Sequence, residues 1–211
     1  MNRLLLLGLL TIAAAGESEQ ARLERGEIVA TRNRVGGGIL SGTARVIVAA
    51  PVEQVWAVLL DAGKFHEYMP RYLASDLVGR DVAERARALG WGRAELEKAA
   101  AENRLKEWPG DTVFFYNVLD MPFPVSDRWY LLEMVRDNVS HTIQWNMVAG
   151  NMKENYGGWV LESAGPDRTL VTYFTCSDPG ISLPNFMLDI GLKSALPGVV
   201  AGLRKRVMGQ K

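Results

Sequence analysis

The sequence predicts one α+β domain in which a curved antiparallel sheet wraps around a long C-terminal helix. Three observations support this: a series of β-branched and aromatic segments with short links, a pair of short helices early in the series, and an apolar stripe at helical spacing near the end. Short links connect antiparallel strands, whereas parallel strands need long crossovers. The apolar face of such a sheet must be covered, and the last helix is the predicted element long enough to cover it.

Strands and short helices alternate at the beginning of the domain. Glu27–Thr31 and Thr43–Val48 are rich in β-branched residues and are predicted strands. Pro51 suits the first position of a helix, and the apolar residues after it recur at helical spacing. A second short helix, Phe65–Met69, ends before a proline, and Tyr72–Val78 is again predicted to be extended.

Residues 81–108 interrupt the strand pattern with two predicted helices, Asp81–Leu89 and Arg93–Lys106. This insertion is either a decoration packed on the fold, or a lid or membrane-touching element, for which Leu89, Trp91 and Leu96 provide a small apolar patch. Five further strands are predicted at Thr112–Leu119, Arg128–Arg136, Val139–Val148, Gly158–Glu162 and Leu170–Cys176.

The last predicted element is a helix that Ser182 caps and that runs to about residue 208. Its apolar stripe should face the sheet, and Pro197 is expected to kink it. We expect a gate for a ligand at this helix and the loop Asp178–Pro184, with Gly180 and Gly191 as hinges.

Composition excludes several classes of function. The 211 residues include 24 Lys and Arg and 24 Asp and Glu, so the chain lacks the basic excess typical of nucleic-acid binding. A single cysteine, Cys176, cannot form an internal disulfide, and two histidines, His66 and His141, argue against a zinc site. We therefore expect no metal, no cofactor and no nucleic-acid partner, and we expect a monomer.

The N-terminus has the pattern of a secretory signal peptide. Arg3 precedes the apolar run Leu4–Leu10, and the small residues Ala13–Ala15 follow before a polar stretch. The run is shorter than the roughly 20 apolar residues of a membrane-spanning helix, although a retained N-terminal anchor is the alternative. We predict a signal peptide over 1–15, a flexible segment over 16–25 and the folded domain over 26–211, in a periplasmic or secreted protein.

Several motifs occur in a consistent order along 26–211. They are Ala44–Pro70, Pro122–Arg128 with the pattern PFP-x-S-x-R, Gly158-Trp159, Asp178–Gly180, Leu183–Phe186 and Leu196–Arg206. Together they resemble the START-related polyketide cyclase/dehydrase superfamily, which has the helix-grip fold, and Pro122–Arg128 is similar to the signature of StAR-related lipid-transfer (START) domains.

The resemblance implies binding, and transport, of a lipid or other hydrophobic small molecule in a cavity under the C-terminal helix, with transient membrane contact. Two alternatives stay open: a polyketide cyclase or aromatase that uses His141, Glu133 or Tyr130, and an interaction module whose core is filled and binds no ligand. We expect a carrier rather than an enzyme, and the signal peptide excludes the ribosome association of one bacterial branch. Met134 stands where animal sterol carriers have an arginine, so their sterol contact is not carried over.

Alternation along the strands selects the candidate cavity residues. Val139–Val148 has an apolar face that includes His141 and Trp145, and this face should point inward. Arg128 either anchors the strand edge or a head group, or forms a salt bridge with Asp127 or Asp120. Glu133 faces the cavity only if Tyr130 and Met134 do not. The candidate ligand-contacting residues are His141, Trp145, Trp159, Arg128, Tyr130, Met134, Phe186, Met187, Ile190 and Leu196, and none is predicted to be catalytic.

Overall fold

The computed structural model describes residues 17–34, 39–123, 125–181 and 185–209, with side chains for all of them except 33, 34, 40 and 185–193. The predicted signal peptide, Ser182 as a helix cap, and Pro124 of the PFP-x-S-x-R segment lie outside the described residues. Among the helices of the described segments, none combines the length and the apolar character needed to cross a membrane.

Within the described residues, eight strands form one antiparallel sheet in the order β1-β2-β8-β7-β6-β5-β4-β3. Strands β4 to β8 are neighbours in both chain and sheet because short links join them. The helical segment 52–67 carries the chain from β2 to β3 at the far edge. The strands are β1 Val29–Arg34, β2 Leu40–Val48, β3 Tyr72–Val78, β4 Thr112–Leu119, β5 Arg128–Asp137, β6 Thr142–Gly150, β7 Glu154–Ser163 and β8 Thr169–Asp178.

The helices correspond closely to the predicted ones. They are α1 Glu19–Glu24, α2 Val52–Leu60, the 3₁₀ helix Ala62–Glu67, α3 Arg80–Leu89, α4 Arg93–Glu102 and α5 Asn185–Val207. Helix α1 differs from the flexible segment predicted for 16–25. The Ser18 hydroxyl caps it by accepting the Ala21 N–H at 3.2 Å, and Leu23 is buried beside Val29 and Ile47.

Helix α5 lies against the inner face of the sheet, which we define as the face that carries Val46, Tyr130 and Trp159. It packs on β2 and also contacts α2, β1 and β8. Gly42 of β2 permits this close approach, because a Cβ atom there would collide with the Leu196 side chain. The helix continues through Pro197, and its C-terminal half buries Leu196, Val199, Val200, Leu203 and Val207.

Helices α3 and α4, the predicted insertion, cover the opposite, outer face of the sheet. Apolar residues of both helices form a second core with this face, namely Val82, Ala83, Ala86, Leu96, Ala99 and Ala100 against Phe114, Tyr116, Val118 and Leu131. The insertion is therefore packed on the fold, on the face away from α5. It does not form a lid over the inner face.

Candidate functional site

The inner face borders a small apolar space. Its volume is about 20 Å³, which is enough for a water molecule and far too little for a lipid. The side chains that surround it are mostly aromatic, and they come from the 3₁₀ helix, from the residues just after it and from β3 to β8. The described residues that line it are Phe65, Met69, Tyr72, Phe115, Leu132, Met134, Trp145, Trp159 and Tyr173.

Aromatic contacts organise one side of this space. The Tyr173 ring lies between two tryptophans, with ring centroids 4.5 Å from Trp159 and 5.8 Å from Trp145. Phe65 packs edge-on to Phe115 at 5.7 Å on the other side. These rings project into one space because β7 is paired with both β6 and β8, which places Trp145, Trp159 and Tyr173 on the same face.

A polar cluster lies within this apolar interior. The side chains of Tyr72, Tyr130 and Asn155 lie close enough for the polar groups of Tyr72 and Asn155 to affect the pKa of Tyr130. The Trp145 Nε1–H donates to Asn155 Oδ1 at 3.1 Å. Burial raises the pKa of Tyr72, of Tyr130 and of Tyr173 well above the ordinary value, so these hydroxyls stay neutral at physiological pH.

Arg128 holds the end of the site where β5 begins. It is buried, and its Nε–H donates to the Pro179 carbonyl at 3.0 Å, while its Nη1 donates to the carbonyl of Ser126 at 2.9 Å. The predicted salt bridge of Arg128 is wrong, because Asp127 pairs with Arg93 and Asp120 pairs with Arg71. Arg128 instead anchors the loop that leads from β8 toward α5.

The loop after β8 is tied down at two further points. Lys153 N–H donates to the Asp178 carbonyl at 2.9 Å, and the Asp178 carboxylate accepts the Gly180 N–H at 2.8 Å. Gly180 has a φ of 71°, a conformation that favours glycine. The predicted hinge residue Gly180 therefore lies in a tight turn at the end of β8.

His141 does not lie on the inner face of β6 as predicted. The chain forms a turn over 138–141, His141 has a φ of 49°, and β6 begins only at Thr142. The His141 ring packs edge-on against Trp56 with a centroid distance of 5.4 Å, and its Nε2 lies 3.2 Å from the Glu53 carboxylate. This turn is at the end of β5 opposite to Arg128.

The other predicted residues divide into three groups. Trp145, Trp159 and Met134 line the apolar space, and Tyr130 lies in the polar cluster. Leu196 is buried against Gly42 and belongs to the packing of α5. The side chains of Phe186, Met187 and Ile190 lie outside the described residues.

Several residues of the site are absent from the sequence prediction. Phe115, Tyr72 and Tyr173 lie on predicted strands, but only sheet register shows which face each occupies. Phe65 and Met69 belong to the Ala44–Pro70 motif, which was a signal available from the sequence. Asn155 lies before the predicted start of β7, so the alternation of apolar and polar residues along the predicted strand did not include it.

Solved structures identify the fold. The StAR-related lipid transfer protein of Xanthomonas axonopodis superposes with a TM-score of 0.64 at 19% identity, over 92% of this chain and 97% of that chain. The ZhuI aromatase/cyclase of Streptomyces sp. R1128 gives 0.54 at 14% identity over 88% and 100% of the two chains. Human StAR-related lipid transfer protein 5 gives 0.54 at 14% identity over 85% and 86%. The chain thus has the START-like helix-grip fold.

The family follows from the sequence itself. The family described as polyketide cyclase / dehydrase and lipid transport matches residues 48–204, and the chain belongs to this family. No curated protein matches the sequence. The predicted superfamily and fold class are confirmed, and the family and fold together support a role with a hydrophobic ligand or a polyketide-like substrate.

Proposed function

We propose that this protein binds a lipid or other hydrophobic small molecule between the inner face of the sheet and helix α5, and carries it between membranes. The observation that supports this most is the aromatic space lined by Trp145, Trp159 and Tyr173, with a neutral polar cluster beside it. An apolar pocket with a few placed polar groups is the usual form of a small-molecule site.

In a carrier of this kind, the space of about 20 Å³ would have to expand before a lipid fits. Burial of each methylene group gains about 0.8 kcal/mol relative to water, but a molecule that leaves a bilayer gains far less. Uptake therefore depends on how easily the protein opens. We propose that opening moves α5 and the loop after β8, and breaks the hydrogen bond from Arg128 to Pro179.

A polyketide cyclase would need an acid or base beside its substrate, and the three predicted candidates are dispersed in the structure. His141 lies in the turn that packs on Trp56, at the end of β5 away from the site. Glu133 alternates with Leu132 and Met134, which face the inner core, so its side chain is on the outer side. Tyr130 is buried with a raised pKa and is a poor base.

The end of the sheet near Arg128 is the proposed side for membrane contact. Phe123, in the loop between β4 and β5, is 95% exposed. An exposed aromatic ring of this kind can bury its apolar surface when it meets a bilayer. We further propose that residues 1–15 are removed on export and that the protein acts in the periplasm or outside the cell, which intact-mass measurement of the exported protein would test.

Native mass spectrometry of the purified, processed protein, followed by organic extraction, tests the proposed function. We expect a stoichiometric hydrophobic molecule that is released on denaturation, and transfer of the same molecule between vesicles. A protein that carries no molecule and takes up no added lipid would instead match the interaction module with a filled core. Conversion of the bound molecule into a product would favour an enzyme.

A further inference from the structure

We propose that the ligand carries an uncharged polar group, a hydroxyl or a carbonyl, and that the site disfavours fatty-acid anions and cationic lipids. This inference rests on the proposed function and specifies its ligand class. It follows from the charge of the lining residues and from the hydrogen-bonding capacity of the polar cluster.

The described lining carries no charge. Its nine described residues are six aromatic residues, two methionines and one leucine. The tyrosines among them have pKa values that burial raises, so they do not supply an anion near neutral pH. A carboxylate or ammonium group transferred into such surroundings loses its hydration without gaining a counter-ion, which costs several kcal/mol.

The polar cluster suits a neutral partner. The Tyr130 hydroxyl is buried and neutral near Tyr72 and Asn155, and a hydroxyl can both donate and accept a hydrogen bond. The Asn155 side-chain amide has two N–H groups, of which one meets Met152 Sδ at 4.0 Å. A ligand hydroxyl or carbonyl can accept from these donors. A carboxylate can accept as well, but the neutral donors leave its charge uncompensated.

The buried cationic residue that is nearest to Tyr130 in the sequence already makes hydrogen bonds within the protein. Arg128 precedes Tyr130 by two residues on the same face of β5, but its Nε and Nη1 donate to Pro179 and Ser126. In the half of α5 whose side chains are not described, the sequence has one anionic and one cationic residue, Asp189 and Lys193. Lys193 is therefore the residue to vary if an anion binds.

The test compares probes that share a chain and differ in the polar group. Dodecan-1-ol, dodecan-2-one, dodecanoate and dodecylammonium are titrated into the wild-type protein near pH 8, with native mass spectrometry and tryptophan fluorescence as readouts. We expect the alcohol and the ketone to bind at least about tenfold more tightly than either ion.

Tyr130→Phe removes the Tyr130 hydroxyl from the polar cluster, and we expect it to weaken binding of the ketone severalfold with little effect on dodecane. Tyr116→Phe is the matched control, because Tyr116 is equally buried but lies on the outer face. Thermal melts of both variants establish that each is folded.

The outcomes separate this inference from the proposed function. If dodecanoate binds as tightly as the alcohol, the ligand class is wrong but a ligand site exists. If Lys193→Gln then abolishes dodecanoate binding, a cation on α5 selects the ligand, and the uncharged class is again refuted. If no probe binds, the proposed function fails together with this inference.

Discussion

Shortening Leu132 to alanine should enlarge the proposed site, and Leu131→Ala provides a matched control on the same strand. Leu132 is 5% exposed and lines the apolar space, whereas Leu131 is 0% exposed and packs under α3 and α4 on the outer face. The two substitutions remove the same atoms at neighbouring positions. They differ only in which face of the sheet loses them.

Both variants should lose stability by a similar amount. Removal of a buried leucine side chain costs about 2–5 kcal/mol, which combines lost transfer free energy with the cost of the cavity. The existing space of about 20 Å³ costs only about 0.5 kcal/mol at about 24 cal/mol per Å³. The wild-type interior is therefore nearly fully packed along its described lining, and Leu132→Ala adds a small void beside the existing space.

Ligand binding should separate the two variants. A dry apolar cavity binds small apolar molecules without first displacing side chains, so Leu132→Ala should bind an apolar probe at least about tenfold more tightly than wild type. A probe at about 100 times its Kd should return about 2.7 kcal/mol of the lost stability. Leu131→Ala should bind like wild type.

The assay is a thermal or urea melt of each variant with and without a small apolar probe such as benzene, together with a fluorescence titration. If the probe restores the stability of both variants equally, it binds in any buried void, and the result would not support a ligand site on the inner face. If the probe rescues Leu131→Ala alone, the site lies under α3 and α4 and the proposal is refuted.

Three further predictions concern the membrane contact, the buried tyrosines and the gate. Phe123→Ser should reduce vesicle binding without changing Tm, and Val139→Ser, 92% exposed at the opposite end of β5, should change neither in a vesicle co-sedimentation assay. The free energy of unfolding should fall as pH rises above about 10, by about 1.4 kcal/mol per pH unit for each buried tyrosine. In the unfolded chain the tyrosines ionise at this pH, whereas in the folded protein buried tyrosines such as Tyr173 stay protonated. Tyr173→Phe should therefore make urea unfolding less steeply dependent on alkaline pH, and an unchanged slope contradicts the burial argument. Arg128→Met removes the hydrogen bond to Pro179 and should lower the free energy of unfolding by about 1.5–3 kcal/mol. It should also speed ligand release and hydrogen exchange of the backbone amides around 178–181. An unchanged rate of ligand release would exclude this loop as the gate.

Local pattern predicted the secondary structure well, and its errors have local causes. Strand β6 begins at Thr142 because the Asp137 carboxylate accepts the N–H groups of Val139 and Ser140, which holds the chain in a turn. The same two bonds lower the pKa of Asp137. The alternation from Ile143 onward was correct, and only the residues before it were wrongly extended into the strand.

The candidate site was predicted only in part, because its members come from six strands, a short helix and the residues just after that helix. Trp145 and Trp159 were selected as bulky inward residues, and the structure places both beside the apolar space. Tyr72 and Asn155 were not selected, because a polar group on a strand is as often exposed as buried. Their cluster exists only because the sheet brings β3, β5 and β7 to one side of the core.

The sequence by itself determined the fold class, the superfamily and the two helices of the insertion. It also showed that the chain has no excess of basic residues, too few cysteines for an internal disulfide and only two histidines. The fold class and the two helices depend on local hydrophobic spacing, and the superfamily was identified by the resemblance of several motifs to a known family. The tertiary structure alone decided that the insertion covers the outer face, that Arg128 bonds Pro179 rather than a carboxylate, and that the interior is closed and uncharged along its described lining. Each of these depends on contacts between residues far apart in the chain, which strand register and helix packing set together.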